Sequence, residues 1–421
     1  MITVCLLLIS FYYGWRYSKT SVDPDWSMFN LAGFTGSMYG RDFADCKSPG
    51  VHLWYYLLSR IAGVKKLEDT QKAVERVKFL HHFFIGCGCI VFYWTSHVAG
   101  NGSPLSALIL LVLCESGWLL AFHGNVGDVS TVLLAIAMVC PVPWIAFWIA
   151  ALAVFYEPKF LFAFIALIVI QGWWMPAILL GIWGGVTILL FHKRQWFKWI
   201  WEGSFTIPMR MTKERKKKRF YGWQPFFTAK GMMYILPWLL LAVLYNSQPW
   251  YFWIPACLYL VTLGLGYAIR ENHLIPLAAW IAVGWGGNMI LPAILLVAAD
   301  WISAGFYLGD IWARFYMGLA QRNEEARVVG ELLKGRPGSL WVNELHTAVY
   351  IYARKPVPFG LCEQIEIREV AVERRALMKK RWLSHPPKWV VNGISAAVHF
   401  KGDGYQHNQD FGSMSIFQRV R

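Results

Sequence analysis

Four aspartates, Asp23, Asp25, Asp42 and Asp45, fall in the stretch VDPDWSMFNLAGFTGSMYGRDFADCKSPG from Val22 to Gly50. A fixed carboxylate takes the proton from an attacking hydroxyl or amine. Two carboxylates in Asp-x-Asp spacing also offer oxygen ligands to a hard divalent cation such as Mg or Mn. Asp23-Pro-Asp25 has that spacing. Asp23 and Asp25 are therefore candidate catalytic acids and candidate metal ligands, with Asp42 a third catalytic candidate. The opposing reading is a solvated polar loop, and a bare Asp-x-Asp is frequent by chance. Position argues for function. The loop lies between apolar runs, held against a bilayer, where ionisable groups are costly to desolvate.

A second group could hold an anion. The loop 192–230 carries eleven Lys and Arg residues, Arg210, Arg219 and the Lys216–Lys218 run among them, against Glu202 and Glu214. Interleaved Trp196, Trp199, Trp201, Phe220, Tyr221 and Trp223 suit a membrane interface. The chemistry is an electrostatic clamp for a lipid phosphate, and guanidinium matches phosphate in a bidentate fashion, which favours Arg210 and Arg219. The plain alternative is a stretch that only touches anionic lipid. A third group sits near span ends: Glu115, His123, Asn125, Asp128, Glu157, Lys159, Arg270, Glu271 and His273. Singly, each is a residue that reaches from a helix end to the interface. Together on one face, they predict a polar cavity, with Asp128, His123 and Glu157 lining it.

The elements that must position these groups are helices. Met1–Trp15 reads as a retained first helix, having neither a basic leader nor a small-residue cleavage site. Val51–Ala62 is amphipathic and shorter than the roughly 20 residues of a span, so it is expected in the interface. Lys65–Lys78 is charged, and Phe79–Ser96 and Pro104–Phe122 read as spans. Val126–Tyr156 and Lys159–Phe191 are too long for one span and short for two. Breaks at Pro141-Val-Pro143 and Gly172–Pro176 make each a hairpin of two short helices. Gly231–Tyr245, Trp250–Ala268 and Leu274–Ala299 bring the expectation to about eleven spans. Residues 1–320 thus form a membrane domain, with an acidic first loop 18–78 and a basic loop 192–230 on one face. Residues 321–421 read as a small soluble α/β domain: helix over Gln321–Lys334, strands at Leu340–Asn343 and Ala348–Tyr352, helix over Cys362–Lys380, strands at Trp389–Asn392 and Met414–Val420.

Composition agrees. Of 421 residues, 57% are hydrophobic and 15% charged, with 24 Trp and a mean hydropathy of +0.39, which defines a polytopic helical membrane protein. The net charge of +15 suits anionic lipid headgroups or phosphate esters rather than nucleic acid, because the basic segments are tethered among spans. The loops opposite the charged face, around Asn101, Val142, Trp174, Ser247 and Gly286, hold no Lys or Arg. The positive-inside rule alone places the charged face in the cytoplasm.

The order Asp25, Phe29, Ala32, Gly40-Arg41-Asp42-Phe43 and Lys47-Ser-Pro-Gly50 resembles the first extracytoplasmic loop of GT-C glycosyltransferases, the polyprenyl-phosphate-sugar-dependent membrane enzymes that include protein O-mannosyltransferases and aminoarabinose transferases. Asp128 at a span opening, Glu157-Pro-Lys159, Glu202-Gly-Ser with Pro208 and Arg210, and Arg270-Glu-Asn-His273-Leu-Ile-Pro276 extend the likeness, as does the α/β tail. The usual Asp-Glu pair is Asp25-Trp26 here, and the Pro-Pro turn is Ser48-Pro49. The resemblance implies an inverting transfer from a polyprenyl-phosphate sugar donor to a lipid, glycan or protein acceptor. Asp25 would be the base, with Asp23 or Asp42 supporting. Arg210, Arg219, Lys159, Arg270 and His273 would hold the donor phosphate. It also implies a bacterial inner-membrane location, with the large loops and the C-terminal domain periplasmic. A lipid-linked substrate transporter or flippase is the alternative; it predicts inverted repeats, which the chain does not display. A membrane acyltransferase would want a His inside a span, whereas His81, His82 and His123 fall at predicted span edges.

Overall fold

A computed structural model describes residues 2–19, 24–39, 42–43, 48–100, 103–115, 126–202, 206, 238–244, 246–266, 275–285, 324–342, 347–357, 380, 382–393 and 404–420. The chain divides into two compact units, each built from separated segments. The first comprises Met1–Lys19, Lys78–His192 and Thr212–Gly309; the second comprises Thr20–Val77, Lys193–Met211 and Asp310–Arg421.

The first unit is helical. It contains α1 (Ile2–Ser18); in the second unit follow α2 (Pro24–Thr35) and α3 (Pro49–Ile61), and then α4 (Thr70–Val98) runs through the cut between the units. The first unit continues with α5 (Pro104–Glu115), α6 (Val126–Val139), α7 (Pro143–Tyr156), α8 (Leu161–Gln171) and α9 (Trp174–Phe191). The expected breaks fall where the prolines and glycine put them. Pro143 starts α7 at the position where its missing N–H costs nothing, and Gly172 ends α8 at φ 68. The separate charged stretch expected at Lys65–Lys78 is corrected. From Thr70 it forms one helix with the span that follows, because nothing between Thr70 and Val98 breaks the α pattern.

Two described helices, α4 and α9, are long and apolar enough to cross a membrane; five more apolar helices have 10–17 residues. Along α9, Ile178, Ile182, Trp183, Leu189 and Leu190 are exposed, as lipid-facing residues are. Close packing of α1 on α4 depends on Gly86, where an added Cβ would meet Ser10 Oγ at 1.6 Å. Of the remaining late spans, the structure describes helix over 238–244, Ile254–Gly266 and Leu277–Gly284.

In the second unit, α2 and α3 pack on each other through Phe29 and Tyr55, whose rings stack at 5.6 Å. The amphipathic helix expected at Val51–Ala62 is α3. It buries Val51, His52, Tyr55 and Leu58 and exposes Leu53, Tyr56, Leu57 and Ile61, one buried face and one exposed apolar face. A four-stranded sheet has the order β1-β2-β4-β3, with β1 (Leu340–Val342) parallel to β2 (Trp389–Gly393), and β4 (Met414–Arg419) antiparallel to β2 and to β3 (Tyr405–Phe411). The strand expected at Ala348–Tyr352 is instead the helix Ala348–Ala353. All six of its residues are buried, so tertiary packing overrides the β-branched and aromatic propensity of the run. The strand β3 escaped the sequence because Gln406–Asp410 is polar and exposed. The helix expected at Cys362–Lys380 lies outside the described residues except for Lys380.

This tail is fastened to the acidic-loop region of the same unit. Arg354 donates from Nε to Thr70 Oγ1 at 3.1 Å and from Nη1 to the Val64 carbonyl at 3.3 Å. Lys334 Nζ reaches the Glu68 carbonyl at 2.7 Å, Tyr352 donates to Gln71 at 3.1 Å, and the Val357 amide donates to Ser37 at 3.0 Å. The sheet-bearing segment and the outer loop are therefore parts of one body.

Candidate active site

In the second unit, the acidic loop is organised by α2. Its first residue is Pro24 and its second Asp25, so the Asp25 backbone stands in the N-terminal turn, where the helix dipole favours a carboxylate. The Asp25 side chain and all of Asp23 lie outside the described residues. Asp42 is half-buried, and its Oδ2 accepts the Met38 amide at 2.8 Å. That bond closes a tight turn bracketed by Tyr39 and Phe43, which form an isolated bridge. Tyr39 stacks on His52 of α3 at 4.2 Å, and Phe43 meets the same ring edge-on at 5.4 Å. The loop is thus pinned to α3 by an aromatic cluster, and at Gly33 an added Cβ would meet Ser59 Oγ at 2.2 Å.

In the first unit, three helices bring four ionisable side chains together. His81 Nε2 lies 2.7 Å from Asp128 Oδ2, and His82 Nδ1 lies 2.7 Å from Glu115 Oε2. Exposures are 2% for His81, 8% for His82, and 1% each for Glu115 and Asp128. Lys78, equally sheltered at 6%, stands one turn before the histidines on the same face of α4. Tyr17 of α1 closes the cluster: its hydroxyl donates to the Glu115 carbonyl at 3.0 Å, and its ring lies 4.7 Å from that of His82. The Glu115 Oε1 atom has no hydrogen-bond partner among the described residues. Buried carboxylates paired with imidazoles can hold, pass or accept a proton, and ionisable groups at such depth mark functional positions.

Sequence reasoning named Asp128 and Glu115 but set the histidines aside as edge residues. The uninterrupted run of α4 from Thr70 puts His81 and His82 well inside a helix. The available signal was Lys78, His81 and His82 at i, i+3 and i+4.

Glu157 and Lys159 pair at 3.2 Å across the turn between α7 and α8, with Glu157 buried. Its neighbour Phe160 stacks on Tyr259 at 4.9 Å. His123, Arg210, Arg219, Arg270 and His273 lie outside the described residues, as does the loop 192–230 beyond 192–202 and 206. Among the described residues no group of three or more His, Cys, Asp or Glu side chains has metal-holding geometry.

Fold and site define a helical membrane protein with a small mixed sheet and ionisable groups buried among its helices. No family model matches the chain, and no curated protein matches it. Among solved structures it is similar to ArnT from Cupriavidus metallidurans, determined bound to undecaprenyl phosphate. The TM-score is 0.52 at 10% identity, over 99% of this chain and 97% of that one. The likeness in fold to that protein therefore runs along almost the whole chain.

Proposed function

We propose that the protein is an inverting glycosyltransferase that moves a sugar from a polyprenyl-phosphate donor to a lipid, glycan or protein acceptor at the extracytoplasmic membrane face. The observation that carries this reading is the shared fold, end to end, with a protein solved bound to undecaprenyl phosphate.

The acceptor hydroxyl or amine attacks the anomeric carbon while the carbon–oxygen bond to the donor phosphate breaks, and the configuration inverts. Asp25 takes the acceptor proton as general base, with Asp23 or Asp42 orienting the acceptor. Polyprenyl phosphate leaves with the electron pair, its charge held by Arg210 and Arg219, with Lys159, Arg270 and His273 as further donors. Asp23 and Asp25 would be the residues to hold Mg or Mn through their carboxylate oxygens, and such an ion would supply positive charge to offset the charge of the leaving phosphate. Asp128, His123 and Glu157 belong to the polar cavity around the reacting groups.

The test is transfer of label from a panel of radiolabelled polyprenyl-phosphate sugars in membranes. Transfer by wild type that Asp25→Asn abolishes, with insertion unchanged, supports the reading. Equal transfer by both removes Asp25 as the base.

A second reading rests on the buried cluster of Lys78, His81, His82, Glu115 and Asp128: proton-coupled movement of a lipid-linked substrate, because proton relays in transporters are built from such groups. Substrate flux in proteoliposomes that follows an imposed proton gradient, without sugar transfer, would establish it.

A further inference from the structure

A cavity of about 130 Å³ opens in the first unit at the ends of α4, α6 and α8, beside the loops that carry no Lys or Arg. A single water needs only roughly 10–15 Å³ of such space. The cavity is lined by Ser96, Ser106, Gln171, Gln248 and Trp285, with Phe92 and Phe252 as aromatic walls. No Asp, Glu, Lys, Arg or His is among its described lining residues.

Its polar groups are not engaged. Ser96 and Ser106 are each 4% exposed and Trp285 3% exposed. Among the described residues the two hydroxyls and the side-chain amides of Gln171 and Gln248 have no hydrogen-bond partner. The Trp285 indole N–H is buried without an acceptor. A buried donor left unmatched is costly, so the Trp285 indole calls for an acceptor, and the Ser96 and Ser106 hydroxyls and the more exposed Gln171 and Gln248 amides face the same space with bonding capacity to spare. The rim is held in shape. The Ser247 amide donates to the Gly284 carbonyl at 3.0 Å, Gln248 N–H donates to Asn246 Oδ1 at 3.0 Å, and Asn246 bridges to Trp285.

We infer that this cavity binds a neutral, hydroxyl-bearing glycerol frame, free or esterified. Hydroxyls and amides can both donate to and accept from such a ligand, and the indole supplies one fixed donor. Aromatic walls cover the carbon faces, the usual composition of a pocket with a few placed polar groups. A phosphate or carboxylate is disfavoured because no cation is among the described lining residues. The polyol comes either from a lipid, as the glycerol of a neutral glycerolipid, or from solution as a free polyol. This site is separate from the acidic loop and does not depend on the glycosyltransferase reading.

The experiment uses the full chain in a detergent whose headgroup has no hydroxyl, such as an amine oxide. Three probes are compared: a photoreactive diacylglycerol, a photoreactive phosphatidylcholine with the same chains, and tritiated glycerol in equilibrium dialysis. Ser106→Ala and Trp285→Phe each remove one donor and keep the packing; monodisperse elution confirms their fold. Labelling by diacylglycerol, but not phosphatidylcholine, that maps to peptides containing Ser106 or Gln248 and drops by about fivefold or more in either variant supports a lipid source. Glycerol retention with the same variant dependence, without diacylglycerol labelling, supports the free-polyol source. Labelling indifferent to headgroup and variant, or no retention of either polyol, means the cavity holds water only and overturns the inference.

Discussion

His81 Nε2 and Asp128 Oδ2, 47 residues apart in sequence, meet at 2.7 Å with both side chains almost completely buried. Removing one partner of a buried pair strands the other. That costs about 3–5 kcal/mol in soluble proteins, whereas polar contacts between membrane helices average about 0.6 kcal/mol. For His81→Ala we expect an intermediate loss of about 2–3 kcal/mol. The double variant His81→Ala with Asp128→Asn should lose less than the sum of the singles. Thermal unfolding in detergent, run as a double-mutant cycle, checks this; strict additivity would mean that the contact carries no coupling.

Gly33 faces Ser59 at a distance no side chain tolerates. Gly33→Ala should therefore push α2 off α3 at about 1–3 kcal/mol and loosen the turn bearing Asp42. Ser59→Gly should restore much of that loss, because it removes both clashing atoms. Protease resistance of the 20–77 segment is the readout.

Arg354 adopts φ 50, a left-handed conformation that is costly for a residue with a Cβ, yet its guanidinium ties the tail to Thr70 and Val64. Arg354→Gly relieves the backbone and loses the ties, whereas Arg354→Ala loses the ties and keeps the strain. Cleavage between 340 and 357 in limited proteolysis should rise in both variants, and more for Ala.

Asp410 is held below its ordinary value of 3.8, first by the Ser415 hydroxyl and then by His407. A carboxyl depressed in the folded state stabilises above its unfolded value, and that contribution disappears as pH falls through the lower folded value. Amide protection in the β3–β4 hairpin should accordingly be flat above about pH 4 and decline below it. Asp410→Asn should abolish the decline. An unchanged profile in the variant would assign the acid loss to other groups.

Arg210 and Arg219 are expected to act on donor binding. Each Arg→Ala change should raise the donor KM by about tenfold or more, the value of one charge-assisted hydrogen bond, with a smaller effect on kcat. Arg→Lys should recover part of the loss, since the charge is kept and the bidentate geometry is not. Steady-state kinetics with a soluble-chain donor analogue separates the two constants.

The sequence by itself determined the helical membrane class, the Pro143 and Gly172 breaks, the amphipathic α3, and three of the four strands' neighbourhoods or close to them: β1, β2 and β4. These follow from local chemistry: apolar length, proline's missing donor, amphipathic period, β-branched runs bounded by turns. It also singled out Asp25, Glu115 and Asp128, but it read the stretch around Asp25 as loop, where the structure has the helix α2 (Pro24–Thr35). Tertiary structure decided the rest. Ala348–Ala353 is helical because burial on every side outweighs strand propensity. The Gln406–Asp410 strand exists because β4 offers a pairing edge, which a polar sequence cannot announce. His81 and His82 become partners of Asp128 and Glu115 only when α4, α5 and α6 pack, since residues 33 and 47 positions apart meet through the fold and not through spacing.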